Sequence, residues 1–174
     1  MKKILVSLTL LSVLMYGGNL KFQSGYIKGH TEVFGDSTID PVSHKATSKL
    51  TIVNNPDTIK GTIEVSIKDF ISDNSERDEH MQSVMESSSF PKAIYSISSI
   101  TSTGGDKYTL NGTLNLHGIS KPLSFNGTIT NEGKYVHIKA KSKIKLTDFG
   151  ITPPKLLLLT VRNQIDLSVD VLLK

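Results

Sequence analysis

The densest group of side chains capable of chemistry is Arg77-Asp78-Glu79-His80. Arg77, Asp78 and His80 are candidate hydrogen-bonding contacts for a polar ligand group, with Arg77 suited to phosphate through its planar set of donors. The competing reading is structural, a solvated helix start held by internal ion pairs. Glu76 and His80 stand four apart on one helical face, the spacing of a shared metal, but no third ligand accompanies them. His30, His44, His117 and His137 are scattered, with no two at ligand spacing. Serines are common, yet there is no Gly-x-Ser-x-Gly elbow and no base identifiable as a serine's catalytic partner. The absence of cysteine removes disulfides, thiol nucleophiles and a lipidated amino-terminal cysteine. The sequence therefore assigns no catalytic residue, no metal and no cofactor.

The elements that would position these groups are strands. Residues 108–130 set the scheme, with Leu110, Leu114 and Leu116, then Leu123, Phe125 and Ile129, separated by polar residues. Alternation of this kind describes two half-buried antiparallel strands joined by a turn over 117–122. Gly112 and Gly127 fall on the apolar face, where a missing side chain permits a bend or makes room. Residues 25–34 form a first strand whose inward face the mixed sequence leaves open. Residues 46–53 and 59–67 alternate around the turn Asn54-Asn55-Pro56-Asp57 and form a hairpin. Further strands cover 93–100, 135–146 and 163–173. Between them, Ser75 followed three residues later by Asp78 predicts a capping box with Ser75 as the cap, and a short helix over 76–84. Thr152-Pro153-Pro154 and residues 156–159, four leucines, form an apolar connection with no evident purpose. The count is eight antiparallel strands and one helix, which fold as a two-sheet sandwich or a closed barrel.

At 174 residues, 37% hydrophobic and 21% charged, the chain has the size of one domain with one core. Met1-Lys2-Lys3 ahead of the apolar run 4–15 reads as an export signal over residues 1–18, followed by a domain over 19–174. The alternative is a buried first element of a cytosolic fold. Residues 1–18 hold two lysines and no acid, so without them the net charge falls from +4 to +2. A nearly neutral domain argues against a nucleic-acid partner. Lys139, Lys141, Lys143 and Lys145 form a stripe that is either the wet face of a strand or a transient contact for an anionic membrane surface. Asn111-Gly112-Thr113 and Asn126-Gly127-Thr128 match the glycosylation pattern but lie inside predicted strands and read as structural.

Five stretches in order carry a resemblance: Arg77-Asp78-Glu79-His80-Met81, Phe90-Pro91-Lys92-Ala93-Ile94-Tyr95, Leu110 through Gly118, Thr147-Asp148-Phe149-Gly150-Ile151, and Val161 through Leu167. Together they resemble the YceI-like family. The match is weakest over 25–39, and Leu146 stands where the family run often has arginine. The resemblance implies an all-β, eight-stranded antiparallel lipocalin-like barrel, periplasmic or secreted, that binds polyisoprenoids or other long-chain amphiphiles inside. Alternation alone favours a packed core. The resemblance reverses that order and makes Tyr95, Leu114, Leu116, Phe125 and Ile138 the expected ligand lining. The implied partner is a long-chain lipid or isoprenoid, and a homodimer is compatible with it. Two other readings remain: an enzyme modifying a bound lipid, with His80, His117 or Asp148 as its only acid–base candidates, and an exported barrel that binds a protein through residues 156–159.

Overall fold

The computed structural model describes residues 17–33, 37–156 and 159–174. Strands β1 (Gly17–Leu20) and β2 (Phe22–Val33) are separated only by Lys21. Short strands β3 (Ser37–Ile39) and β4 (Val42–Ser43) lead to the hairpin of β5 (Thr47–Val53) and β6 (Asn55–Ser66). A 3-10 turn at Ile67–Asp69 precedes helix α1 (Ser75–Val84). A meander follows, built from β7 (Lys92–Gly104), β8 (Lys107–Leu116), β9 (Ile119–Glu132) and β10 (Tyr135–Lys145). A second 3-10 turn, Leu146–Phe149, and the ribbon of β11 (Lys155–Leu156) and β12 (Leu159–Thr160) lead to β13 (Gln164–Leu173).

Eleven strands join in one sheet in the order β1-β5-β6-β7-β8-β9-β10-β13-β2-β3, with β4 on β2. Every pairing is antiparallel. The eight expected strands are β2, β5 to β10 and β13. The additional strands β1, β3 and β4, and those of the ribbon, are two to four residues long, too short for a period of two to register in sequence. Residues 1–16 of the expected leader lie outside the described residues, whereas Gly17 and Gly18 pair with Val53 and Ile52.

The sheet curls because one stretch of chain serves both of its ends. β1 pairs with β5, and β2, one residue later, pairs with β13. Between them Lys21 and Lys174 exchange backbone hydrogen bonds of 2.7 and 2.9 Å. The Ser48 hydroxyl accepts from the Phe22 N–H and donates to the Leu20 carbonyl. At the opposite end β2 carries β3 and β4 instead of reaching β5. The result is a curled antiparallel half-barrel, drawn shut at one end and parted at the other.

The alternation does what it predicts. Leu110, Leu114, Leu116, Phe125, Ile129, Val136, Ile138, Ala140 and Ile144 are all buried in one cluster. The β8–β9 turn is tighter than the sequence suggests: it is His117-Gly118 alone, both with positive φ (51° and 74°). This is the geometry of a two-residue hairpin whose twist matches its strands. Pro122 is then a strand residue opposite Thr113, beyond the last β9–β10 pair at Asn126 and Lys141, where its missing N–H breaks no ladder. At Gly127 a Cβ would fall 1.9 Å from the Lys139 carbonyl oxygen, so glycine there allows β10 to close in. On the outer face, Lys139 and Lys143 reach across to Asp170 (3.5 Å) and Asp166 (3.6 Å) on β13.

Helix α1 corrects one expectation. Its cap is Asn74, whose side-chain oxygen accepts from the Arg77 N–H at 2.9 Å, and not Ser75, which is already the first helical residue. Asp78 turns back on the preceding loop, where its carboxylate accepts from the Ser72 N–H (2.9 and 3.0 Å) and hydroxyl (2.7 Å). The cap's side-chain bond to the third helical N–H is that of the sequence reading shifted by one residue, but the reciprocal half of the box is absent, since Arg77 stands at the third position and the Asn74 N–H donates to the Ser72 hydroxyl. Replacing Asn74 with Ala is expected to lower stability by about 1 kcal/mol, whereas Ser75→Ala should change it by less than about 0.5 kcal/mol. Urea unfolding of the two variants measures the difference.

Candidate functional site

Inside the curl lies a cavity of about 590 Å³. Its walls are mostly aliphatic with a few aromatic rings, and all five residues singled out in the sequence, Tyr95, Leu114, Leu116, Phe125 and Ile138, line it. Ile165, Leu167 and Val169 of β13 also line it, which is why they are only half buried. Toward the closed end the lining stops at Leu50, Leu110, Val171 and Leu173. Beyond these, Leu20, Ile59, Ile129 and Val136 are buried to between 0% and 7% exposure and do not border the cavity. The closed end is therefore solid, and the cavity has a floor.

Among the described residues Tyr95 is the one polar side chain deep in the wall, and its hydroxyl is spoken for. Its proton is shared between the carbonyls of Leu110 and Leu123, each 2.9 Å away. The ring meets Phe125 edge to face at 5.1 Å and passes over Gly112, where a Cβ would lie 2.7 Å from the tyrosine ring. Burial pushes the phenol pKa up to about 12, so Tyr95 stays neutral and offers the interior no free donor.

Apart from Tyr95, the polar side chains among the described lining residues stand at the parted end. There Asn74, Glu76, Arg77 and His80 of α1 and its cap border the cavity, above Met81, Val84 and Met85. Arg77 holds Asp73 through a 2.9 Å ion pair, and His80 is exposed. Asp78 does not border the cavity, because its carboxylate is used by Ser72. Thr31 faces the mouth, but its hydroxyl donates to the Arg162 and Gln164 carbonyls. Leu146, at the position where the resemblance leads one to look for arginine, turns into the cavity as an apolar residue.

The rest of the mouth comes from segments whose role the sequence hides. Ile39, the last residue of β3, and Pro41, between β3 and β4, form a flap over the cavity edge. The Gly29 N–H donates to the Pro41 carbonyl at 3.1 Å, and Asp40 is gripped by His30 Nδ1 (2.7 Å) and Lys28 Nζ (3.1 Å). Val42 and Ile71 exchange backbone hydrogen bonds, tying the flap to the loop before α1. Ile151, Pro154 and Val161, around the apolar connection, complete the collar. Residues 157 and 158 of the predicted protein-binding patch lie outside the described residues.

The three acid–base candidates separate. His80 borders the cavity, while His117 and Asp148 do not. His117 Nδ1 donates to the Phe149 carbonyl at 3.1 Å, and its ring packs on Phe90 with centroids 4.4 Å apart. Its Nε2 makes no hydrogen bond, with Glu86 Oε1 3.5 Å away. This histidine joins three of the sequence motifs, Phe90-Pro91, His117-Gly118 and Asp148-Phe149-Gly150, into one packed corner. Asp148 itself is exposed. Among the described residues no three His, Cys, Asp or Glu side chains gather as a metal site.

A curled antiparallel sheet around an apolar cavity with a solid floor and a polar mouth is the architecture of barrel proteins that enclose small hydrophobic molecules. The particular family follows from sequence: the YceI-like domain model matches residues 19–173, and the chain belongs to that family. A UPF0312 protein of Pseudomonas fluorescens is 32% identical over 107 residues, which cover 57% of this chain and 56% of that protein. The chain thus matches little more than half the length of that relative. Among solved structures, Burkholderia cenocepacia BcnA superposes with a TM-score of 0.76 at 13% identity, covering 85% of this chain and 95% of that one. A polyisoprenoid binding domain from Saccharophagus degradans implicated in plant cell wall breakdown gives 0.71 at 8% identity, covering 92% and 98%. At such identities the likeness is one of fold.

Two histidines give the fold a pH dependence. The hydrogen bond to Asp40, with help from Glu32, raises the pKa of His30 above its ordinary 6.5. Hydrogen bonds to Asp170 (2.6 Å) and Glu132 (2.8 Å) do the same for His137. Burial by itself would raise Asp40 and Asp170, but their histidine and lysine partners outweigh it and hold both below 3.8. The histidine stabilisation is complete below 6.5 and is lost as pH rises through each raised value. The carboxylate stabilisation is present above 3.8 and is lost as pH falls through each lowered value. Stability should therefore decline as pH rises above 6.5, by about 1 kcal/mol or less per histidine. Asp40→Asn and His137→Gln should each flatten part of that decline and the double variant most of it, as read by melting temperature from acid to alkaline pH.

Proposed function

We propose that this protein holds one long-chain amphiphile, an isoprenoid or a fatty-acyl lipid, with its chain in the barrel and its polar end at the α1 mouth. The observation that carries this reading is the sidedness of the cavity. Its walls and floor are hydrocarbon, its deep hydroxyl is satisfied by backbone carbonyls, and every other polar side chain on its border among the described residues stands at one end. A chain entering such a space gains about 0.8 kcal/mol per buried methylene group, so affinity needs few polar contacts. Tyr95, Leu114, Leu116, Phe125 and Ile138 would line the chain. Arg77 and His80 would meet the headgroup, with an anionic group competing with Asp73 for Arg77. The Saccharophagus neighbour's description as a polyisoprenoid binding domain favours the same ligand class.

The role is sequestration or transport outside the cytoplasm, in the periplasm or beyond the cell, with the basic start and apolar run of residues 1–15 as the export signal. It needs no covalent step. Native mass spectrometry of the protein purified without detergent, followed by solvent extraction, tests the reading. The expected result is a stoichiometric long-chain adduct, lost in Ala140→Phe, a substitution that places a ring inside the cavity while the fold is retained by circular dichroism. A clean unliganded mass, together with no uptake of an added long-chain alcohol or acid, would refute it.

A further inference from the structure

The elements around the mouth are held unequally, and the weakest hold marks the way in. We infer that helix α1, with the loop over 70–74 before it, is a hinged lid: ligand passes beneath it when the bridge between Val42 and Ile71 parts, and the lid turns about the chain after Met85. This rests on the lipid-binding reading above and adds its route of entry.

Among the described residues, the side-chain hydrogen bonds and ion pairs of residues 72–85 all stay within that segment, joining Ser72 to Asp78, Asn74 to Arg77 and Arg77 to Asp73. Beyond the helix itself, its backbone bonds only with the turn at residues 86 and 87. Met81, Val84 and Met85 border the cavity and are half-buried, whereas the one buried residue of the helix, Asp78, is turned on its own loop. A chain in the cavity is therefore what the underside of α1 packs on, and methionine adapts readily to such a partner.

The other mouth segments are fixed to the barrel. The turn Leu146–Phe149 is held by the Leu146 N–H on the Asn163 carbonyl (2.9 Å), by the Asn163 amide on the Thr147 hydroxyl and by His117 on the Phe149 carbonyl, with Phe149 only 2% exposed. The flap lies along β2 through the Gly29 to Pro41 hydrogen bond and the grip of His30 and Lys28 on Asp40. The front edge of the lid has much less. Val42 and Ile71 exchange two backbone hydrogen bonds (2.8 and 3.1 Å), each contributing modestly to stability, and Lys45 meets Asp69 in an exposed pair at 3.3 Å. The Ile71 side chain is already 59% exposed, so parting the bridge uncovers little apolar surface there. At the rear, the Ile67 N–H donates to the Pro91 carbonyl and Phe90 packs on His117, which anchors the hinge while Glu86, at φ 45°, ends the helix.

The chain has no cysteine, so Val42→Cys with Ile71→Cys introduces a single disulfide. Residues that exchange both backbone hydrogen bonds stand about 5.5 Å apart at Cα, within reach of one. Release of a pyrene-labelled long-chain fatty acid from the loaded protein to phosphatidylcholine vesicles is followed with the pair oxidised and then reduced. Oxidation is expected to slow release by at least about tenfold and reductant to restore it, while either single cysteine variant is indifferent to oxidant. Equal rates in the oxidised and reduced forms, with the cross-link verified by mass, overturn the lid. Hydrogen exchange of the wild-type protein is the independent reading, and it decides the matter if the cysteines do not join. The amides of α1 should gain protection on loading while those of β8 and β9 stay unchanged, and α1 amides protected equally in the empty and loaded protein overturn the lid. Either of these refutations leaves lipid binding standing. No uptake of the fatty acid by the reduced variant or the wild type overturns the lipid reading and the lid with it.

Discussion

The structure depends on the pairing of one continuous stretch, residues 17–33, with both ends of the sheet. Once β1 lies along β5 and β2 along β13, strands that could have stayed an open sheet are forced to curl. The apolar faces then have only each other, or a ligand, to meet. Closure also uses the hydrogen-bonding groups of two edges that would otherwise be exposed. The same stretch makes the barrel asymmetric, because it can bridge the edges only where the chain passes from β1 to β2 near Lys21. Farther along, β2 must take other partners, and the parted end receives the flap, the helix and the collar.

The asymmetry explains how an interior built from ordinary core residues can hold a cavity. At the closed end the strands converge, and isoleucine and leucine are large enough to fill the space, as the vanishing exposure of Ile59 and Leu173 shows. Toward α1 the strands diverge while the residues stay the same size. There is no tryptophan in the chain to span the gap. Tyr95 is turned along the wall by its two carbonyls and does not cross the centre. The polar groups of the mouth are then the natural consequence of where solvent reaches, since an unpaired polar group deeper inside would be strongly disfavoured.

Much of the fold was legible because it is written in local periodicity. The inward residues of β6, β8, β9, β10 and β13 follow from alternation, and all five predicted lining residues lie on the cavity. β2 was harder for a physical reason. Its inward positions include Gly29 and Thr31 beside Ile27, so the apolar signal is broken where a bare backbone suits the flap and a hydroxyl satisfies two carbonyls. The helix was found and its cap misplaced by one residue, since Asn74 and Ser75 are both competent caps and only the geometry distinguishes them. Asp78, chosen as a headgroup contact for its charge, is spent on Ser72. Ile39, Pro41, Ile151 and Pro154 escaped notice because loop residues have no period to betray which way they face.

The sequence by itself determined the eight main strands, the inward faces of most of them, the position of the helix and the chemical character of the interior, because each depends on residues within a few positions of one another. Whether those faces meet as a filled core or surround a cavity was decided only by the tertiary structure. That outcome depends on pairings between Gly17–Leu20 and Thr47–Val53 and between Phe22–Val33 and Gln164–Leu173, contacts separated by up to nearly the whole chain. It also depends on the difference between the volume the curled sheet encloses and the volume its side chains occupy, a quantity that no local pattern contains.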